Sequence, residues 1–331
     1  MGSPTPIRTD GHGTADPRDV PVLLLVYRRP ELTARVFEAL AAARPRRLFV
    51  AADGPASDRD VPRCDAVRRI VSTPAWPCEV TTDFAHENLG CRRRVSSALD
   101  WFFGACDAGI VLEDDCLPSP DFFRFCAAML ERYRDDSRIV HVSGETYRRR
   151  RGSSCSYYFS KYALIWGWAT WRRAWRFFDL EMRGWPAFQA QPEAAALFDT
   201  SDERAYWHGT FQQTYEGRLP SAWDYAWQFA CMTQGLSIHP AVNLVSNIGS
   251  GSDATHTSAH PTLHRAVGPL DADLRHPDWV VRDREADLDT FDDRFPGAIL
   301  KHQRTWRHQA GRPRRWAMRQ LRRVLRPHAR G

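Results

Sequence analysis

The chain has 331 residues, 43% of them apolar, with 46 Lys and Arg against 40 Asp and Glu for a net charge of +6. That length can bury one large core or two modest ones, and no apolar run approaches the roughly 18 residues that span a bilayer, which excludes a helical membrane protein. The amino terminus has no signal-peptide pattern, and eight cysteines without a CxxC pair point to reduced thiols in a cytoplasmic protein.

Residues 1–19 are rich in Gly, Pro, Asp and Thr and are expected to be disordered. Order is expected from Pro21, with a buried strand to Tyr27, an amphipathic helix from Glu31 to Ala43, and a strand from Arg47 to Ala52 that ends at Asp53-Gly54-Pro55. A helix over Val61 to Ser72 and a strand over Cys78 to Thr82 follow, then a helix over Arg92 to Phe103, a strand over Gly109 to Leu112 and a helix over Asp121 to Tyr133. Strands alternating with helices predict parallel βαβ units, hence an open α/β sheet covered on both faces. Tyr27-Arg28-Arg29-Pro30 stands where a dinucleotide fingerprint would carry GxGxxG, and neither a P-loop nor a Gly-x-Ser-x-Gly elbow is present.

The strand over Gly109 to Leu112 runs into Glu113-Asp114-Asp115. Open α/β sheets bind ligands at the carboxyl ends of their strands, and three crowded carboxylates suit a hard cation such as Mg2+ or Mn2+. Standing alone, the same triplet also reads as a solvated acidic turn. Asn88-Leu89-Gly90 leads into a helix whose first turn holds Arg92, Arg93 and Arg94; cations there oppose the helix dipole unless an anion such as a diphosphate binds. Asp53, at another strand end, can accept from a uracil or a ribose, or serve as an ordinary turn residue. Further on, Trp166-Gly167-Trp168 offers flat rings to a sugar face as well as to a core, and Asp224 opens an apolar-rich helix over Trp223 to Thr233, where it can also cap the helix. A Gly- and Ser-rich stretch, Gly249 to Ser252, reads as a mobile loop ahead of His256.

The blocks Leu23 to Pro30, Ala51 to Pro55, Glu87 to Gly90 and Val111 to Asp115, followed by Pro118 to Phe123, together resemble GT-A nucleotide-sugar glycosyltransferases, the bacterial family-2-like enzymes in particular. The Glu-Asp-Asp motif is similar to that of N-acetylglucosaminyltransferase I. The resemblance continues through Trp166 to Trp171, Ala222 to Trp227 and Asn243 to Thr257. It implies a Rossmann-like open mixed sheet, a nucleotide-sugar donor (a UDP-sugar first) and Mn2+ or Mg2+. By position it implies Asp115 and His256 as metal ligands, Tyr27, Arg28, Asp53, Asn88, Arg92, Glu113 and Asp114 as donor contacts, and Asp224 as the base of an inverting transfer, with Trp166 or Trp168 lining the sugar pocket. The acceptor would be a glycan, a lipid-linked sugar or a small natural product. A sugar-1-phosphate nucleotidyltransferase and a non-catalytic glycan-binding protein are the alternatives.

In this reading residues 20–135 form the donor half and 136–265 the acceptor half of one domain, and 266–331 an extension. Residues 301–331 carry eleven Lys and Arg and no Asp or Glu, so the rest of the chain is net acidic. Residues 312–326 repeat apolar positions at helical spacing and read as an interfacial helix for an anionic membrane surface, or else as a disordered basic tail or one lying on the acidic body. No nucleic-acid-binding module is present, and none is expected as a partner.

Overall fold

The run Val22-Leu23-Leu24-Leu25-Val26 has no polar face, as a strand covered on both sides requires. In the computed structural model, which describes residues 15–149, 154–219, 221–249 and 265–297, it is the strand from which the sheet grows in both directions. His256 and the 312–326 segment lie outside the described residues. In chain order the elements are β1 (Val22–Val26), α1 (Pro30–Ala43), β2 (Arg47–Ala52), α2 (Val61–Ser72), β3 (Glu79–Phe84), α3 (Gly90–Ala105), β4 (Ala108–Glu113), β5 (Cys116–Pro118), α4 (Pro120–Arg132) and β6 (Ile139–Ser143). They continue with β7 (Tyr157–Ser160), β8 (Trp168–Trp171), α5 (Arg172–Trp175), α6 (Trp185–Gln189), α7 (Ser201–Tyr215), α8 (Asp224–Gln234), β9 (Leu236–Pro240), β10 (Val245–Asn247) and α9 (Arg284–Arg294).

Eight strands form one sheet in the order β3-β2-β1-β4-β8-β6-β9-β7, and β5 pairs with β10 in a separate antiparallel ribbon. The strands β1 to β4 are mutually parallel, β8 is antiparallel to β4 and β6, and β7 is antiparallel to β9. This is a Rossmann-like mixed α/β sheet with helices on both faces. Alternation along β1 divides the core: Val22, Leu24 and Val26 pack with α1, α2 and α4, whereas Leu23 and Leu25 face α3, α8 and the tryptophans. At the edge, β3 is half-exposed along its length. Proline at the first turn fixes the starts of α1 and α4, and α1 ends where Arg44 turns left-handed at φ 55° ahead of Pro45.

Two segments that the sequence reading set outside the ordered domain are packed against it. Residues 15–19 are ordered: Asp16 accepts from Arg18 N at 3.0 Å to cap the turn Pro17–Asp19, and Arg46 N donates to Arg18 O at 2.8 Å. Residues 265–297 are built into the body. Asp287 of α9 is buried and accepts from the Ser160 hydroxyl, Phe291 joins Trp185 and Trp207 in a third apolar cluster, and Arg282 and Arg284 pair with Asp199. None of the eight cysteines is in a disulfide, and no helix among the described residues is long and apolar enough to cross a membrane.

Candidate functional site

The chain leaves β1 for β2 and β3 on one side, while β4 lies on the other, so the carboxyl ends of β1 and β4 flank a topological switch point. Register sets what meets there. Leu25 stands opposite Glu113, which carries the next residues of both strands into the same crevice. Tyr27 N reaches Asp114 Oδ2 at 3.4 Å, and Arg29, immediately before α1, places its guanidinium on Asp114 and, at 2.9 Å, on Asp115 Oδ2.

Arg29 thus supplies the positive charge that the acidic cluster demands. Burial is the main cause that pushes Asp114 up to about 6 against the pull of Arg29. Glu113 is driven up to about 8 by burial and then by Asp115 and Asp114, with Asp224 adding to the same field. Asp115 is sealed from its other side: Ile248 N donates to its carbonyl at 2.8 Å, and a Cβ on Gly249 would stand 2.2 Å from its Oδ2. The segment that goes on to His256 therefore starts against Asp115. Among the described residues no three His, Cys, Asp or Glu side chains converge as a metal-ligand set.

Asp53 has a different task from the one expected. Its Oδ1 accepts from Gly54 N and Leu89 N, each at 2.9 Å, and its Oδ2 from Gly90 N at 3.0 Å and Asn88 Nδ2 at 3.2 Å. A carboxylate has about four lone-pair positions, so none remains for a base or ribose. Asp53 instead holds the start of α3 to the end of β2, helped by Asn88 Nδ2 on Gly54 O at 2.8 Å. Tyr27 and Arg28 brace the facing loop: the Tyr27 hydroxyl accepts from Ala56 N at 3.2 Å, and Arg28 pairs with Asp60 at 2.7 Å.

The three arginines opening α3 diverge. Arg92 donates to Leu180 O at 2.8 Å and Glu181 at 3.1 Å, tying α3 to the second half of the chain instead of pointing at the acidic crevice. Arg94 is buried on Asp83 and Ala52 O, a structural role, and Arg93 is exposed. Cys91, in the first turn of α3, keeps an exposed face, yet its thiol is pushed up to about 12 by desolvation, then by Glu113, Asp224, Asp53 and Asp115. Asp224 acts through space on both Cys91 and Glu113, which sets it near the acidic cluster.

Asp224 is the first helical residue of α8, not its cap; Trp223 holds the cap position and makes no side-chain cap bond. Asp224 also lines a narrow cleft with Ile165, Trp207, Tyr225, Arg294 and Phe295. Trp168 cannot line a sugar pocket. It is fully buried, stacked between His141 and Trp223 with ring centroids at 5.2 and 6.2 Å, because β8 aims it into the core beside α3 and α8. Its neighbour Trp166 is buried in the core cluster of the other face, with Arg294 Cζ 4.6 Å from its ring centroid. Gly167, at φ 68°, separates the two directions.

Arg29, Cys91, Glu145 and Arg294 were not singled out from sequence. Arg29 had a signal, since Pro30 marks a helix start and the residue before it must sit at the end of β1. Glu145 accepts from Trp166 N at 3.0 Å and the Tyr147 hydroxyl at 3.3 Å, and burial raises it to about 7. Nothing local flags it.

No protein-family model matches the chain, and neither does any curated protein. Among solved structures, HddC from Yersinia pseudotuberculosis aligns at 13% identity over 47% of this chain and 78% of its own, with a TM-score of 0.30. A UDP-glucose pyrophosphorylase complexed with UDP-glucose aligns at 8% identity over 48% and 78%, TM-score 0.30, and an active-site mutant of LgtC at 11% over 71% and 91%, TM-score 0.31. The fold assignment rests on the strand order and register above.

Proposed function

We propose that this protein is a glycosyltransferase that moves a sugar from a nucleoside diphosphate, UDP first, to an acceptor hydroxyl with inversion. The observation that carries the reading is the position of Glu113, Asp114 and Asp115 at the β1/β4 switch point, near enough to Asp224 for its charge to act on Glu113. In this reading Tyr27, Arg28 and Asn88 frame the nucleoside, Asp53 fixes that frame, and Glu113 and Asp114 contact the donor. Asp224 accepts the proton of the acceptor hydroxyl as its oxygen attacks the anomeric carbon, and the nucleoside diphosphate leaves on the opposite face. Arg29 moves between the carboxylates and the phosphates, while Arg92 would have to leave Glu181 to reach them.

Asp115, with His256 from the segment beginning at Gly249, would hold Mn2+ or Mg2+. Such an ion needs only one or two carboxylates when phosphate oxygens complete its shell, and it would stabilise charge on the departing diphosphate. A second reading has one observation in its favour: Arg29 already neutralises Asp114 and Asp115, so transfer without a divalent ion is the alternative, decided by activity in EDTA. The acceptor class is a glycan, lipid-linked sugar or small molecule, and binding of the 312–326 segment to anionic vesicles tests peripheral attachment.

Asp224→Asn is the test of the chemical assignment. It should lower transfer at least a thousandfold while leaving donor affinity within twofold; near-normal turnover would overturn it.

A further inference from the structure

The cleft lined by Asp224 contains a cation that the transfer reading does not use. Arg294, the last residue of α9, forms part of its wall. Among the described residues its guanidinium makes no hydrogen bond and no ion pair, and its Nε is closed off from solvent without a partner. The groups around it are Glu145, Asp224, Tyr147 and Tyr225, which act on it through space, and the ring of Trp166. Glu145 acts on it only through space, and its two oxygens accept from Trp166 N and the Tyr147 hydroxyl.

A guanidinium offers five N–H donors; here only the Nε is closed off from solvent, at a cost in free energy, and Arg294 as a whole is half-buried, which leaves its Nη groups within reach of a ligand. The planar fork of Arg matches a carboxylate or a phosphate two bonds at a time. Trp166, buried in the core, carries the guanidinium over its ring and so helps to hold Arg294 in place. Position separates this cleft from the donor side: Asp224 lines the cleft and acts on Glu113 through space, whereas Glu113 and Asp115 are absent from the walls around Arg294.

We propose that this cleft is the acceptor subsite and that Arg294 receives an anionic group, a carboxylate or a phosphate, carried by the acceptor sugar beside the hydroxyl that Asp224 activates. The role given to Asp224 rests on the glycosyltransferase reading; the anion site does not.

The test is binding, not turnover. Methyl glucuronide against methyl glucoside, and glucose 6-phosphate against glucose, are titrated by calorimetry into the wild-type protein, Arg294→Met and Arg294→Lys, with and without UDP and Mn2+. The wild type should bind at least one charged sugar tenfold or more tightly than its neutral partner, and the pair that responds separates carboxylate from phosphate. Arg294→Met should erase that preference and Arg294→Lys keep part of it. Equal binding of charged and neutral sugars by the wild type overturns the proposal, whether or not the Met variant folds. So does a preference that survives in Arg294→Met. Displacement of the charged sugar by UDP also overturns it, assigning Arg294 to the donor. If the preference stands but no nucleotide sugar is turned over, the transferase reading fails and the anion site remains.

Discussion

Replacing Arg29 with Met isolates the charge balance of the crevice. The substitution keeps most of the apolar stem, and it leaves the start of α1 intact because Arg29 makes no side-chain cap bond and Thr33 bonds only its carbonyl. What disappears is the guanidinium shared by Asp114 and Asp115, whose side chains are 4% and 12% exposed. Removing one partner of a buried pair costs roughly 3–5 kcal/mol, and with Arg29 itself 19% exposed the lower end, ~3 kcal/mol, is expected. For a chain of this size that is about 6 °C in melting temperature at roughly 2 °C per kcal/mol. Melting at pH 7.5 in EDTA and again in millimolar Mn2+ completes the assay. The ion should return most of the loss in Arg29→Met and add less to the wild type, since it replaces a charge the wild type already has. A variant that melts with the wild type in EDTA, or that Mn2+ does not rescue, refutes the reasoning.

Three further outcomes follow from the same geometry. Asp53→Asn should lower the urea midpoint by the equivalent of about 3 kcal/mol, because two of the four donors would face an amide NH2, at roughly 1.5–3 kcal/mol for each charge-assisted bond; an unchanged midpoint contradicts its anchoring role. Gly249→Ala should cut transfer at least tenfold, since its Cβ would stand 2.2 Å from Asp115 Oδ2, while melting shifts by only about 1–3 kcal/mol of overpacking; wild-type kinetics would show that Asp115 is not needed where it stands. Asp287 is raised by burial to about 7, so the folded state holds a proton that the unfolded chain has released between about pH 4 and 7. Its contribution to stability is present below pH 4 and lost as pH rises towards 7, with a limiting slope of ~1.4 kcal/mol per unit. Asp287→Asn should flatten the melting-temperature profile across that window, and parallel profiles would contradict the assignment.

The first half of the fold was legible because parallel strands are continuous apolar runs and prolines mark the helix starts: β2 and α2 have the bounds expected from sequence, and β1, α1 and α4 differ by a residue at one end or both. The position of the acidic triplet was equally local, being the residues where the β4 run ends. What sequence could not show were partners far apart in the chain. Arg29 meets Asp114 across 85 residues, and the four donors on Asp53 come mainly from a turn 35 to 37 residues away, so an anchored carboxylate looked like a ligand-binding one. Trp166 and Trp168 are alike as letters. Both are buried, but in different core clusters, and Gly167 at φ 68° stands between them. Arg294 lay in a stretch read as an extension, and only the packing of α9 on the body carries it to Asp224.

The central claim is that the β1/β4 crevice holds a nucleotide sugar through the acidic triplet. Calorimetric titration of a panel of nucleoside-diphosphate sugars, with Mn2+ present, into the wild type, Asp115→Asn and Asp224→Asn tests it most directly. At least one donor should bind the wild type and Asp224→Asn alike and bind Asp115→Asn at least tenfold more weakly. Binding that is absent throughout the panel, or that ignores the loss of the Asp115 charge, would contradict the account.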